Sequence, residues 1–459
     1  MKPNTKNLEY FFNPKSIAVV GASRSEGKIG NTIFGVLVKN FRGKVYPVNP
    51  KADRILGRRC YPSVLDTPDV DLVVVAVPAV AVPKVMEEVV EKGTKAAVII
   101  TSGFGEIGNH ALEERVKRII TGKVRVIGPN CLGVYDSSSK VDTMFLPEER
   151  LKRPVEGPVA FISQSGAFGS VMMDAIGEEG IGVSKFMSIG NKIDVDEIDL
   201  MKYLEEDEKT GSIAIYLEGT EDGKKLMKVG KEVSKKKPVV CLKAGKSKKG
   251  TEAVSSHTGS MAGSARVYSA AFRQSGIIEA KTTEELFDFA KALAYQEPTG
   301  GRRIMIVTDG GGFGIVATDQ AEKEGFDLVE LDKKSKEILR KCVPEYAIIK
   351  NPIDLTGDAD SERYRKTLDL LCRNERIDGI VCIVLLQITT LGEDIVPILV
   401  KISRKYRKPM TFCATGGKYT LEKTRELEKE GLPVYPTPER AVKAMSALVK
   451  RGEWLRKVL

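Results

Sequence analysis

A chain of 459 residues, 42% hydrophobic and 29% charged, can bury several cores and is neither a disordered nor a fibrous polypeptide; its length corresponds to about three domains. The net charge of +10 reads first as a solvated Lys-rich surface and second as a match for anionic small ligands, and Lys and Arg are spread along the chain without the stripe or module of a nucleic-acid binder. Seven widely spaced cysteines with no CxxC pair argue against a disulfide framework or a metal site. No apolar run would cross a bilayer, and the first sixteen residues, MKPNTKNLEYFFNPKS, lack an apolar signal core, so a cytoplasmic location is expected.

From the N-terminus, short β-branched runs alternate with helical patterns. Residues 16–21, 71–78, 96–102 and 124–129 read as strands buried on both faces, and 82–93 reads as an amphipathic helix. This alternation predicts α/β, doubly wound domains. In the segment 17–37 (IAVVGASRSEGKIGNTIFGVL) a strand runs through a glycine-containing loop into a helix, whose free N–H groups suit phosphate. Gly21, Gly27 and Gly30 do not have the GxGxxG spacing of a dinucleotide fingerprint. The next strand ends in Asn49-Pro50-Lys51, with no carboxylate for a ribose 2′-hydroxyl. A lysine there suits a phosphorylated ribose, that of CoA or of NADP. The loops Val77-Pro78, 102–105 and 128–133 are expected at the same sheet edge.

A polar stretch, 137–158, and a second one, 295–303, read as linkers, which predicts domains at 1–136, 159–294 and 304–459. The last two domains read as copies of one plan. FISQSGAFG at 161–169 matches IVTDGGGFG at 306–314, NKID at 191–194 matches NPID at 351–354, and 283–293 resembles 438–448. The stretch 243–263 reads as an insertion in the first copy.

That stretch, KAGKSKKGTEAVSSHTGSMAG, holds His257, one of only two histidines. His110, at an amphipathic helix start, reads as a surface residue. Around His257 the neighbours are small and polar, and Lys243, Lys246, Lys248 and Lys249 favour an approaching phosphate. A nucleophilic imidazole needs one nitrogen free and the other held by an acceptor. Glu218, directly after the apolar strand 213–217, is the candidate acceptor. Two glycine-rich helix starts, 165–169 and 310–314, offer backbone N–H groups to an anion.

The motifs PKSIAVVGAS, GPNCLG, ISQSGAFG, SIGNK and SSHTGS together resemble the α subunits of archaeal ADP-forming acetyl-CoA synthetases, relatives of succinyl-CoA synthetase. The resemblance covers nearly the whole chain. It implies a Rossmann-like CoA-binding domain followed by two flavodoxin-like ligase domains. It also implies that acetyl-CoA, ADP and phosphate yield acetate, ATP and CoA through acetyl phosphate and phospho-His257, with Glu218 as the histidine's partner. Gly21, Ala22, Ser23, Lys28, Asn49, Lys51, Val77, Pro78, Ser102, Gly103, Phe104 and Asn130 would line the CoA site. Ser165, Gly166, Ala167, Asn191, Gly259, Ser260, Gly311, Gly312 and Phe313 would surround phosphate or acyl phosphate. No segment of this chain is left over for an ATP-grasp unit, so Mg-ADP is expected on a separate β subunit in an α2β2 assembly. Another acid (succinate, a branched-chain or an aryl acid), a non-catalytic CoA-sensing subunit, or an NADP-dependent oxidoreductase are the rival readings.

Overall fold

The computed structural model describes residues 3–252 and 264–459. His257, Gly259 and Ser260 lie outside the described residues. The chain divides into two compact units, Met1–Glu279 and Ala280–Leu459.

The first unit carries two sheets. One is parallel and contains β1 (Ser16–Val20), β2 (Lys44–Val48), β5 (Leu72–Val75), β6 (Ala96–Ile99) and β7 (Arg125–Ile127), in the order β2-β1-β5-β6-β7. A small hairpin, β3 (Arg54–Ile55) with β4 (Arg58–Arg59), follows β2. Every residue of β1, β5, β6 and β7 is buried, as their unbroken apolar runs require of strands covered on both faces. Helices α1 (Ile29–Asn40), α2 (Val82–Glu91) and α3 (His110–Ile120) provide the cover, and the strand order reverses beside β1, where a crevice forms in such sheets.

The second sheet contains β8 (Val134–Asp136), β9 (Glu156–Ser163), β10 (Val183–Ser188), β11 (Ser212–Leu217), β12 (Val239–Lys243) and β13 (Ile278–Ala280), ordered β13-β12-β11-β9-β10-β8. Its edge strand β8 runs antiparallel to β10. Helices α4 (Gly166–Glu179), α5 (Glu197–Glu205), α6 (Gly223–Lys236) and α7 (Ala265–Ser275) connect the strands. One apolar core joins the two sheets, running from Phe11, Val19 and Val74 to Ile162, Ile213 and Phe272.

The second unit begins with α8 (Thr283–Tyr295) and has one parallel sheet with the strands β14 (Arg303–Thr308), β15 (Asp327–Leu328), β16 (Ile353–Asp354), β17 (Gly379–Ile383), β18 (Met410–Cys413) and β19 (Val434–Tyr435). The order is β15-β14-β17-β18-β19, with β16 also pairing β14. Its helices are α9 (Gly311–Lys323), α10 (Lys333–Arg340), α11 (Ser361–Arg373), α12 (Ile395–Lys405), α13 (Lys418–Lys429) and the long α14 (Pro438–Val458), against which α8 packs.

Apart from the antiparallel edge strand β8, the second and third sheets repeat one strand order, and their registers align them residue by residue. Phe161 faces Ala214 as Ile306 faces Val381, and Leu217 faces Lys243 where the copy continues to Val384 and Ala414. Strand pairing corrects one sequence match. The N–H of Ile189 donates to the Ser163 carbonyl, and that of Leu355 to the Thr308 carbonyl, so 188–190 corresponds to 354–356. The NKID and NPID tetrapeptides are therefore not equivalent. What misled the sequence comparison is a second insertion: β10 is continuous, whereas its counterpart is divided into β15 and β16 with α10 between them. The first insertion is shorter than expected, because Lys243 belongs to β12 and the second copy has its own loop and helix α13 after β18.

Candidate active site

At the crevice of the first sheet the backbone is pressed close. Gly21 follows β1 with φ +94°, and a Cβ there would stand 2.3 Å from the Ala76 carbonyl oxygen. A Cβ on Gly30 would stand 2.0 Å from the Gly21 carbonyl oxygen, so α1 starts directly against this turn. Ala22 is buried, Ser23 half-buried, and Lys28 and Lys51 are exposed. Asn49 is a structural member of the turn: its amide donates to the Ala22 carbonyl (2.7 Å), and its side-chain oxygen accepts the Lys51 N–H (2.9 Å). The Thr101 hydroxyl donates to the Val77 carbonyl (2.7 Å), which joins the Val77-Pro78 loop to the one that follows β6. Gly21, Ser23, Lys51, Val77, Pro78 and Ser102 thus follow the carboxyl ends of the neighbouring strands β1, β2, β5 and β6, the edge at which ligands bind in open α/β sheets.

The loops after β6 and β7 reach the second sheet. Asn191 donates its amide to Glu106 and Glu113 (both 2.7 Å), and Asn130, at φ +57°, donates to the Asn191 side-chain oxygen (3.3 Å). Glu106 also accepts the Gly103 and Phe104 N–H groups. Burial opposes its ionisation, yet the Gly103 N–H and the Asn191 amide hold its carboxyl below the usual range. Asn191 is therefore committed to the junction between the sheets. Below it, Arg125 pairs with Asp194 and Asp199 (2.8 Å each). The start of α4 lies at the same junction. A Cβ on Gly166 would be 3.6 Å from the Leu132 nitrogen, and the Ser188 hydroxyl accepts the Leu132 N–H (3.0 Å). Ser165 caps α4 by accepting the Phe168 N–H (3.2 Å), while Ala167 is exposed.

Glu218 follows β11 and is 6% exposed. It lies at the carboxyl end of the strand, as expected of an acid directly after an apolar run. The Gln164 side-chain oxygen accepts the N–H groups of Glu218 (2.8 Å) and Gly219 (3.0 Å). Lys192 donates to the Gly219 carbonyl (2.8 Å) and to Glu197 (3.0 Å), and the Tyr268 hydroxyl accepts the Thr220 N–H (3.1 Å). Burial, and the Glu218 carboxylate beside it, push the Tyr216 phenol up to about 12. Gln164 and Lys192 stand inside the motifs ISQSG and SIGNK, but side-chain direction after a strand end is not written in composition.

The lysines of 243–249 are also corrected. Lys243 is buried, with its ammonium 4.8 Å from the centre of the Tyr268 ring and donating to the Ala244 carbonyl. Burial pulls its pKa down, although Cys241 and Glu218 act the other way. Lys246 pairs with Glu279 (2.8 Å); only Lys248 and Lys249 are exposed.

In the second unit, Gly311 and Gly312 are exposed and Phe313 half-buried at the start of α9. This helix start has carboxylates of its own. A Cβ on Gly311 would meet the Asp354 carboxylate at 2.8 Å. Asp309 is buried and accepts the Leu385 N–H (3.0 Å); burial raises its pKa to about 6, with nearby Asp354 adding to the shift. Among the described residues no cluster of metal-ligating side chains occurs, and no helix is long and apolar enough to cross a membrane.

Comparison with known proteins gives the family. Residues 15–137 match the CoA binding domain, 156–293 the succinyl-CoA ligase like flavodoxin domain, and 304–456 the ligase-CoA domain. The chain is 43% identical to the acetate–CoA ligase [ADP-forming] I subunit alpha of Pyrococcus furiosus, covering 98% of this chain and 99% of that one. It is 41% identical to the acetate–CoA ligase [ADP-forming] of Methanocaldococcus jannaschii, covering 96% of this chain but 63% of that protein. A solved acetyl-coenzyme A synthetase 1 of Ca. Korarchaeum cryptofilum, in complex with phosphate and ADP, superposes with a TM-score of 0.90 at 39% identity, covering 98% and 99% of the two chains. With its three domains matched in order and its length that of the Pyrococcus subunit, the chain belongs to the family of ADP-forming acetate–CoA ligases, among their α subunits.

Proposed function

We propose that this chain binds acetyl-CoA and phosphate, forms acetyl phosphate, and carries the phosphoryl group on His257 to ADP held by a separate ATP-grasp β subunit. The observation that carries this reading is Glu218: a buried carboxylate at the end of β11, the strand that pairs with β12, in a turn (218–220) whose backbone is held by the side chains of Gln164, Lys192 and Tyr268. Glu218 holds one imidazole nitrogen and leaves the other as nucleophile. Phosphate attacks the thioester carbonyl, CoA leaves as the thiol, and the imidazole then attacks the phosphorus of the acyl phosphate, taking its phosphoryl group and releasing acetate. Splitting the transfer in this way lets two separated sites share one carrier.

CoA takes the crevice of the first sheet, with Lys51 at its ribose phosphate, Gly21, Ala22, Ser23 and Lys28 at the first turn, and Val77, Pro78, Ser102, Gly103, Phe104 and Asn130 along the edge. Ser165, Gly166 and Ala167 at the start of α4, with Gly259 and Ser260, take the phosphate. Gly311, Gly312 and Phe313 are a second anion-binding start. Full coverage of the Pyrococcus subunit against 63% of the Methanocaldococcus protein supports a partner chain that supplies the nucleotide site and Mg-ADP, in a cytoplasmic α2β2 assembly.

ATP formation from acetyl-CoA, ADP and phosphate tests this, with and without the partner and across succinyl-, branched-chain and aryl-CoA. ATP with acetyl-CoA only when both chains are present is the expected result. ATP from this chain alone would contradict the division of labour. CoA binding without ATP from any acyl-CoA would leave a sensing subunit.

A further inference from the structure

Gln164 and Lys192 have no part in the reaction just described, yet they hold the residue that does. Each is buried or nearly so, and each arrives from a different strand end of the second sheet, Gln164 after β9 and Lys192 after β10. Together they hold three backbone polar groups of the turn from Glu218 to Gly219: two N–H groups on Gln164 and one carbonyl on Lys192. Lys192 does so from the left-handed region, φ +58°, where a lysine is strained. Its ammonium is neutralised by Glu197, itself 1% exposed. Burying that pair is costly unless the geometry returns something.

The duplicated sheet is an internal control. The register aligns Gln164 with Asp309, Glu218 with Leu385, Lys243 with Ala414, and Lys192 with Asp358. The support itself persists in the copy, where the Asp309 carboxylate accepts the Leu385 N–H as the Gln164 amide accepts that of Glu218. Its charge does not. The copy with an acid at the catalytic position has a neutral acceptor behind it and a cation below it; the copy with leucine there has a carboxylate behind it. A carboxylate at 164 would face the Glu218 carboxylate across a buried turn.

We infer that Lys192 and Gln164 are positioning residues that set the direction of the Glu218 carboxylate for phosphoryl transfer. The assignment rests on the function proposed above. The test uses the full chain carrying Lys192→Met with Glu197→Gln, which removes both buried charges at once, beside Lys192→Arg and Gln164→Glu. Melting and CoA affinity are read first, then the rate at which labelled phosphate enters the protein from acetyl-CoA. The expected result is a folded double variant with wild-type CoA affinity and phosphoprotein formation slowed about 100-fold, the scale of a small misplacement of a reacting group. Lys192→Arg restores part of the rate, and Gln164→Glu loses it. Labelling of the double variant at the wild-type rate overturns the assignment alone, as does an equal loss of CoA affinity, which would make the role structural. A wild type that takes no label overturns the functional reading, and the assignment falls with it.

Discussion

Two sheets of this molecule share strand order, register and a glycine-rich helix start, and differ in what they place at the strand ends. In the first copy, Ser163, Ser165 and Gln164, all uncharged, surround the start of α4, and Glu218 is the acid beyond β11. In the second, Asp309 and Asp354 stand at the start of α9 and Leu385 lies beyond β17. A helix start attracts anions. A carboxylate supplied from within the protein competes for that attraction, so the start of α4 is the better seat for an incoming phosphate. Duplication preserved the scaffold, and charge placement separated the roles.

Exchanging the residues that differ is the sharpest way to break this comparison. Glu218→Leu, which installs the residue of the second copy, should slow phosphoprotein formation by about 10³-fold with CoA affinity intact, in the range a positioned acid–base group contributes. Quenched-flow labelling measures it, and a wild-type rate would erase the distinction between copies. Next in size, Gly30→Ala drives a methyl group into the Gly21 carbonyl and should cost about 3 kcal/mol in denaturant unfolding, because neither backbone can yield. An unchanged midpoint would mean that the first turn has room.

Smaller again is the effect of Asp309. Its folded pKa of about 6 lies above its ordinary value, so the stability it contributes is complete at low pH, where it is neutral in both states, and is lost as pH rises through about 6. Asp309→Asn should melt like the wild type in acid and become more stable than it above that point, by roughly 2 kcal/mol. Parallel melting curves would show that the buried acid is not strained. The smallest effect is expected for Lys246→Met: its pair with Glu279 is partly exposed, so stability should change by less than about 1 kcal/mol. A large loss in a stability titration would mean that the pair holds the segment leading to His257.

Much of this was legible in the residues. The apolar runs at 16–21 and 71–78 read as strands covered on both faces, and Ser16–Val20 and Leu72–Val75 are buried throughout; the glycines at 21 and 30 read as a tight turn from strand to helix, and their backbones press close together. Glu218 could be placed because an acid directly after an apolar strand must emerge at its end. Lys243 differs from the reading because a lysine next to other lysines looks like surface, while β12 is buried along nearly its whole length and sets the ammonium over the Tyr268 ring. The NKID and NPID match failed because four similar letters carry less information than the hydrogen-bond register, which the insertion around α10 had displaced. Asn191, expected at phosphate, is engaged by Glu106, Glu113 and Asn130, residues more than sixty positions away that no local pattern connects.

His257 is the proposed seat of the phosphoryl group. Incubation of the chain with acetyl-CoA and labelled phosphate, followed by proteolysis and peptide mapping, tests it most directly. The account predicts an acid-labile, base-stable phosphate on the peptide containing His257, and none on His257→Ala. Label retained by that variant, or mapped to the second unit, would contradict it.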